Sequence, residues 1–266
     1  MFILNNVAQP DTLHDAYRIL TEKKSNTVLG GCAYLRMGSQ IIHTGVDLSK
    51  LGLHYIKEAD DCIEMGAMAT LRDVETNPAL FKYFNGVLPK AVGSIIGVQF
   101  RNVVTVGASV FSRYGFSDFI TALMALDTEV ELYHGGRMTL PRFMDRRRAK
   151  DILTKVIVHK TNRQAAYQAL RNSKSDYPIL TVAVSRLEDD WKIAVGARPT
   201  RARLAVQAAK RLVTGGTVTS DVIGQAAQIA AEELPFGTNM RGSAEYRRAM
   251  CHVLVKRAIA EVAACK

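Results

Sequence analysis

No two cysteines in this chain stand close enough in sequence to suggest a shared metal. Cys32, Cys62, Cys251 and Cys265 are scattered, with no C-x-x-C pair, which argues against a zinc knuckle or an iron–sulfur cluster held by this chain alone. They are expected to be reduced and mostly structural. The histidines are equally dispersed (His14, His43, His54, His134, His159 and His252), and no H-E-x-x-H, G-x-S-x-G or Walker loop occurs. Hydrolase and kinase readings therefore have no support, and neither a catalytic constellation nor a metal site is expected. Proline is sparse, at 7 residues, with no low-complexity tract and no repeat of solenoid period, so nothing points to disorder or to a repeat array. No run approaches about 18 uninterrupted apolar residues, so no membrane span is expected. Met1-Phe2-Ile3-Leu4-Asn5-Asn6 lacks the basic start and long apolar stretch of a signal peptide. The expected location is the cytoplasm.

What the chain does have is ample core material. With 266 residues and 48% hydrophobic content, it fits one large domain or two medium ones. Its net charge is +10, with one local concentration at Arg142, Arg146, Arg147, Arg148 and Lys150. That run carries no interleaved aromatics on which bases would stack, so no nucleic-acid partner is expected. A solvated surface or a docking face for an acidic partner is the reading of the run.

The pattern along the chain is α+β. Asp11-Thr12 caps a helix running to Lys24, with Leu13, Ala16, Tyr17, Ile19 and Leu20 inward. Strands follow at Asn26–Val28, Gln40–Gly45 and Ile63–Gly66, so residues 1 to about 53 read as a small β-α-β unit. Thr70 caps a short helix, Leu71–Thr76, and further helix is expected over Pro78–Phe84, Val87–Ile96 and Asp118–Leu126. Val130–Tyr133 and Arg137–Leu140 read as a hairpin turning at Gly135-Gly136. A polar boundary lies near 160–175. Beyond it, strands at Ile179–Ser185 and Trp191–Val195 precede helices over Arg201–Val213, Ser220–Glu233 and Ser243–Val262, an α+β domain with strands first.

Two glycine-bearing loops carry the chemistry. The first is Leu29-Gly30-Gly31-Cys32-Ala33-Tyr34-Leu35. The second is Thr105-Val106-Gly107-Ala108-Ser109, leading to Ser117-Asp118. Each follows a β-branched run, Asn26-Thr27-Val28 or Val103-Val104-Thr105-Val106, so each is expected to be a strand entering a tight turn. A backbone with little side chain lets N–H groups approach an anion, and two such loops together suit a diphosphate. Asp118 reads either as the N-cap of its helix or as an acceptor for ribose or ring donors. Arg101 reads as a structural arginine pairing with carbonyls or an acid, or as part of the site. Tyr114 is either a loop aromatic or the cover of a flat ring. Cys32, beside loop amides, is expected to have a lowered pKa.

These segments, in order, resemble the FAD-binding subunits of the molybdenum hydroxylases, the xanthine dehydrogenase and carbon monoxide dehydrogenase family. Gly30, Gly31 and Leu35 match the family's A-G-G-T-D-L segment, and Gly66-Ala67-Met68-Ala69-Thr70-Leu71 its G-A-x-x-T segment. Arg101-Asn102 with Thr105-Val106-Gly107 resembles I-R-N-x-x-T-V-G-G, closed by Ser117-Asp118. Asp176-Tyr177-Pro178-Ile179 and Arg241-Gly242-Ser243-Ala244-Glu245-Tyr246-Arg247-Arg248 resemble the start and the ending of the family's C-terminal domain. The resemblance implies a two-subdomain FAD-binding domain of the PCMH type over residues 1–160, with subdomains of about 1–53 and 54–160, and a C-terminal α+β flavoprotein domain over 161–266. It implies FAD on this chain, held by Leu29–Leu35, Arg101, Thr105–Ser109, Tyr114, Ser117 and Asp118. It also implies a molybdopterin-binding large subunit and a 2Fe-2S small subunit as partners, with FAD passing electrons to NAD or a quinone. The family's Thr-Asp is Cys32-Ala33 here, and its second Gly-Asn is Ala108-Ser109. These departures remove a carboxylate and add a methyl, and the alternative they raise is a flavin-free scaffold subunit of the same complex.

Overall fold

The computed structural model describes residues 2–214 and 218–265. The chain divides into two compact units, each built from three separate segments. The first unit takes Met1–Val74, Gly97–Ser112 and Thr128–Val158. The second takes Glu75–Ile96, Arg113–Asp127 and His159–Lys266.

The first unit opens with β1 (Ile3–Ala8), the helix Leu13–Glu22, β2 (Thr27–Leu29) and β3 (Ile41–Asp47), a parallel sheet of order β1-β3-β2. The helix forms because Thr12 accepts from the Asp15 amide at 3.1 Å and because Ala16 and Leu20 give it a buried face. Next come β4 (Ile56–Glu58), β5 (Cys62–Gly66), β6 (Thr128–Leu132), β7 (Gly136–Thr139) and β8 (Leu153–His159), a sheet of order β4-β5-β8-β6-β7. The β6–β7 hairpin turns through Tyr133-His134-Gly135, with Gly136 left-handed at φ +66°. Thr70 and Asp73 close a reciprocal capping box ahead of the helix Leu71–Thr76: Asp73 N donates to Thr70 Oγ1 at 3.1 Å, and Thr70 N donates to Asp73 Oδ2 at 2.8 Å.

The second unit is built on β9 (Gln164–Leu170), β10 (Leu180–Leu187), β11 (Asp190–Gly196) and β12 (Arg203–Leu204), an antiparallel sheet of order β12-β11-β10-β9. The helices Val206–Thr214, Ser220–Glu233 and Ala244–Ala263 bury one set of its side chains around Val182, Val184, Ile193, Val195, Leu254 and Ile259. The fully buried helix Asp118–Met124 packs on β10 and β11. It comes so close that a Cβ on Gly196 would lie 2.1 Å from Thr121 Oγ1. Several strands lie where none was expected, β4 and β8 among them. β9 occupies the polar stretch read as a boundary, and β12 takes the start of the segment expected to be helical from Arg201.

Candidate functional site

The first loop follows its expectation. β2 ends at Leu29, and the backbone then turns through Gly31 at φ +80° and Cys32 at φ +54°. Two successive left-handed residues curl the chain so that neighbouring amides converge, a concavity that suits an anion. Among the described residues, no protein oxygen accepts from the amides of Gly31, Cys32 or Ala33. Tyr34 meets Phe100 edge-on at 6.2 Å, and Leu35 enters a short 3-10 turn, Leu35–Met37.

The second loop does not. Val103-Val104-Thr105-Val106 is not a strand: Val103 ends the helix Val98–Val103, Thr105 makes one isolated bridge to Thr70, and Val106 starts the helix Val106–Phe111. Four of its amides, Val106 to Ser109, are already spent. Val106 N donates to Ala69 O and Gly107 N to Ala67 O, both at 2.8 Å, while Ala108 N reaches Thr105 Oγ1 at 3.2 Å and Ser109 N reaches Thr105 O at 3.0 Å. β propensity lost here to tertiary acceptors and a threonine cap. Ala108 is helical, so its methyl costs nothing in φ.

The two loops touch. A Cβ on Gly30 would lie 2.4 Å from the Ala108 Cβ and 2.9 Å from Thr105 Oγ1, and one on Gly31 would lie 1.9 Å from the Val103 carbonyl oxygen. These glycines are dictated by loop-on-loop packing, with the second loop as the backstop of the first. Gly107 is dictated by Ala67, whose Cβ and carbonyl oxygen would both stand 2.8 Å from an added Cβ. Arg101 is buried in its helix, 6% exposed. Burial, helped by the Asp47 carboxylate, raises the Cys32 thiol. The expectation of a lowered pKa is overturned, and the thiol stays protonated at neutral pH.

Tyr114, Ser117 and Asp118 belong to the second unit. Tyr114 stacks on Phe116 at 5.1 Å; Phe116 meets Tyr177 at 4.8 Å; and the Arg241 guanidinium lies 4.9 Å above Tyr177. The N-cap is Ser117, whose hydroxyl accepts from Ile120 N at 3.1 Å. Asp118 instead turns its Oδ1 to the Tyr167 hydroxyl and to Arg171. Burial pushes the Asp118 carboxyl up while Arg171 pulls it down, and burial beside Asp118 keeps Tyr167 protonated as the donor.

Sequence reasoning missed three residues. Tyr167 and Arg171 hold Asp118 from 49 and 53 positions away. Lys150, read as part of a surface run, donates to the carbonyls of Leu20 (2.8 Å), Lys23 and Asn26 (3.0 Å). No local signal marks any of them, although a buried Asn26 at the root of β2 hints at a tertiary tie.

Comparisons with known proteins identify the family. The model of the FAD-binding domain in molybdopterin dehydrogenase matches residues 4–161, and that of the CO dehydrogenase flavoprotein C-terminal domain matches residues 165–262. The nicotine 6-hydroxylase medium subunit of Paenarthrobacter nicotinovorans is 27% identical, over 97% of this chain and 96% of its own. Among solved structures, quinoline 2-oxidoreductase from Pseudomonas putida 86 superposes with a TM-score of 0.88 at 21% identity, covering 98% of this chain and 96% of its own. Carbon monoxide dehydrogenase from Hydrogenophaga pseudoflava gives 0.86 at 21% identity, covering 97% and 96%. The chain belongs to the FAD-binding medium-subunit family of the molybdenum hydroxylases, which are oxidoreductases.

Proposed function

We propose that this chain holds FAD by its diphosphate on the amides of Gly31, Cys32 and Ala33, as the medium subunit of a complex with a molybdopterin-binding large subunit and a 2Fe-2S small subunit. The observation that supports the reading is the run of three amides without a protein acceptor in a left-handed turn. Hydrogen bonds to a charged acceptor are worth about 1.5–3 kcal/mol each. Thr105 and Ala108 back the loop from behind, so Ala108 is compatible with binding. The cofactor, when bound, supplies the redox chemistry, taking electrons from iron–sulfur clusters and giving them to an acceptor such as NAD or a quinone. The protein supplies the preorganised donors and the shape around them.

The test is the visible spectrum of the purified chain, with released flavin counted against protein. About one FAD per chain is expected. A colourless protein that takes up no flavin from excess FAD would overturn the assignment and leave a scaffold of the same fold.

A further inference from the structure

We infer that Lys150 is the positioning residue of the Gly31–Ala33 loop: its ammonium, donating to the carbonyls of Leu20, Lys23 and Asn26, fixes the root of β2 and with it the aim of the loop amides. An ammonium has three donors, and here each meets a carbonyl, at 2.8 Å for Leu20 and 3.0 Å for Asn26. Leu20 and Lys23 lie in the last turn and the C-cap of the helix Leu13–Glu22, where carbonyls lack helical partners and the helix dipole is negative. One cation therefore satisfies the end of the helix and the start of the strand together.

Asn26 is tied on its other side too. Its side chain donates to Ile19 O at 2.7 Å and accepts from Thr44 N of β3 at 3.1 Å. From this knot β2 runs only Thr27–Leu29 before Gly30, and Leu29 is wedged over Gly45, where an added Cβ would lie 2.8 Å from its side chain. So short and tightly held a strand passes any shift at Asn26 on to Gly31. The lysine comes from 124 residues downstream of Asn26. Completing the loop thus requires the 150 region to be in place.

The inference rests on the proposed FAD site, so the experiment carries one readout with flavin and one without. In Lys150→Ala, the FAD dissociation constant should rise about tenfold or more, the effect of one misaligned bond to a charged acceptor. Added ethylammonium, which can enter the vacated carbonyl cage, should recover part of that loss. In flavin-free protein, amide hydrogen exchange over residues 26–36 should speed up. Should Lys150→Ala fail to fold, Lys150→Gln, which keeps two donors without the charge, takes its place in the affinity and exchange measurements, where both effects are expected in weaker form. Wild-type protein that binds FAD beside a variant that binds it equally well, with unchanged exchange, overturns the inference. So does an affinity loss that ethylammonium leaves untouched, because then packing and not the ammonium matters. Wild-type protein that binds no FAD overturns the proposed function instead, and the exchange rates still judge Lys150.

Discussion

Replacing Gly31 with alanine would place a methyl carbon where the Val103 carbonyl already stands. The Cβ would lie 1.9 Å from that oxygen and 2.6 Å from its carbon, against a comfortable C···O separation of about 3.3 Å. Gly31 also sits at φ +80°, which costs a residue with a Cβ roughly 1–2 kcal/mol. Gly31 itself is exposed, so the turn can relieve the overlap by swinging outward, and the price falls on its aim: a displacement above about 1 Å misaligns the amides of Gly31, Cys32 and Ala33. Losing two bonds of about 1.5–3 kcal/mol each raises the FAD dissociation constant roughly a hundred- to ten-thousand-fold. The assay is a fluorescence titration of flavin-free protein, together with flavin retained on desalting. Gly52→Ala is the control, since Gly52 shares a left-handed φ of +65° but has nothing within 4 Å of an added Cβ. It should lose about 1 kcal/mol of stability and no affinity. Gly31→Ala binding within about threefold of wild type would refute the reasoning, as would an equal loss in Gly52→Ala.

Two further outcomes follow from the polar interior. Asp118→Asn leaves Arg171, whose side chain is 11% exposed, without its buried carboxylate partner and should cost about 3–5 kcal/mol in urea unfolding; weakened FAD binding at near wild-type stability would instead make Asp118 a cofactor ligand. Burial raises the Asp73 carboxyl, but hydrogen bonds from the Thr70 amide and hydroxyl and from His54 outweigh it, so its pKa lies below the ordinary 3.8. Its contribution is present above the unfolded value and is lost as pH falls through the folded one. Asp73→Asn should therefore cost about 1 kcal/mol at neutral pH, and the gap to wild type should close in acid unfolding below pH 3.8; a constant gap would contradict the capping role.

What could be read from the sequence was what is decided locally. The Thr12 cap, the Thr70 cap and the glycine turn between β6 and β7 each involve residues a few positions apart, and each was legible. The first glycine loop was legible because its left-handed turn follows a β-branched strand directly. The second misled because Val103, Val104 and Val106 favour strands, while the Ala67 and Ala69 carbonyls and the Thr105 hydroxyl start a helix there. β9 was hidden for the converse reason. Gln164-Ala165-Ala166-Tyr167-Gln168-Ala169-Leu170 holds no β-branched residue and becomes a strand through pairing with β10. Around the candidate site, the turn at Gly31 was legible, whereas Lys150 at the root of β2 and Tyr167 and Arg171 on Asp118 were not, because they act across long stretches of chain.

The interleaving of the two units bears on how the molecule is made. Unit 2 needs Glu75–Ile96 and Arg113–Asp127, which leave the ribosome well before the sheet they pack on, and unit 1 waits for Thr128–Val158. During synthesis the apolar helix Asp118–Met124 emerges before β10 and β11 exist to cover it. Folding dominated by such distant pairings is slow, and it exposes sticky surface on the way. A shortened chain ending at residue 160 would keep the glycine loops and leave that helix uncovered, so soluble yield would fall even though every residue of the first unit is present. Expressing the intact chain, ideally with a chaperone at hand, is the route to material on which flavin content can be judged fairly.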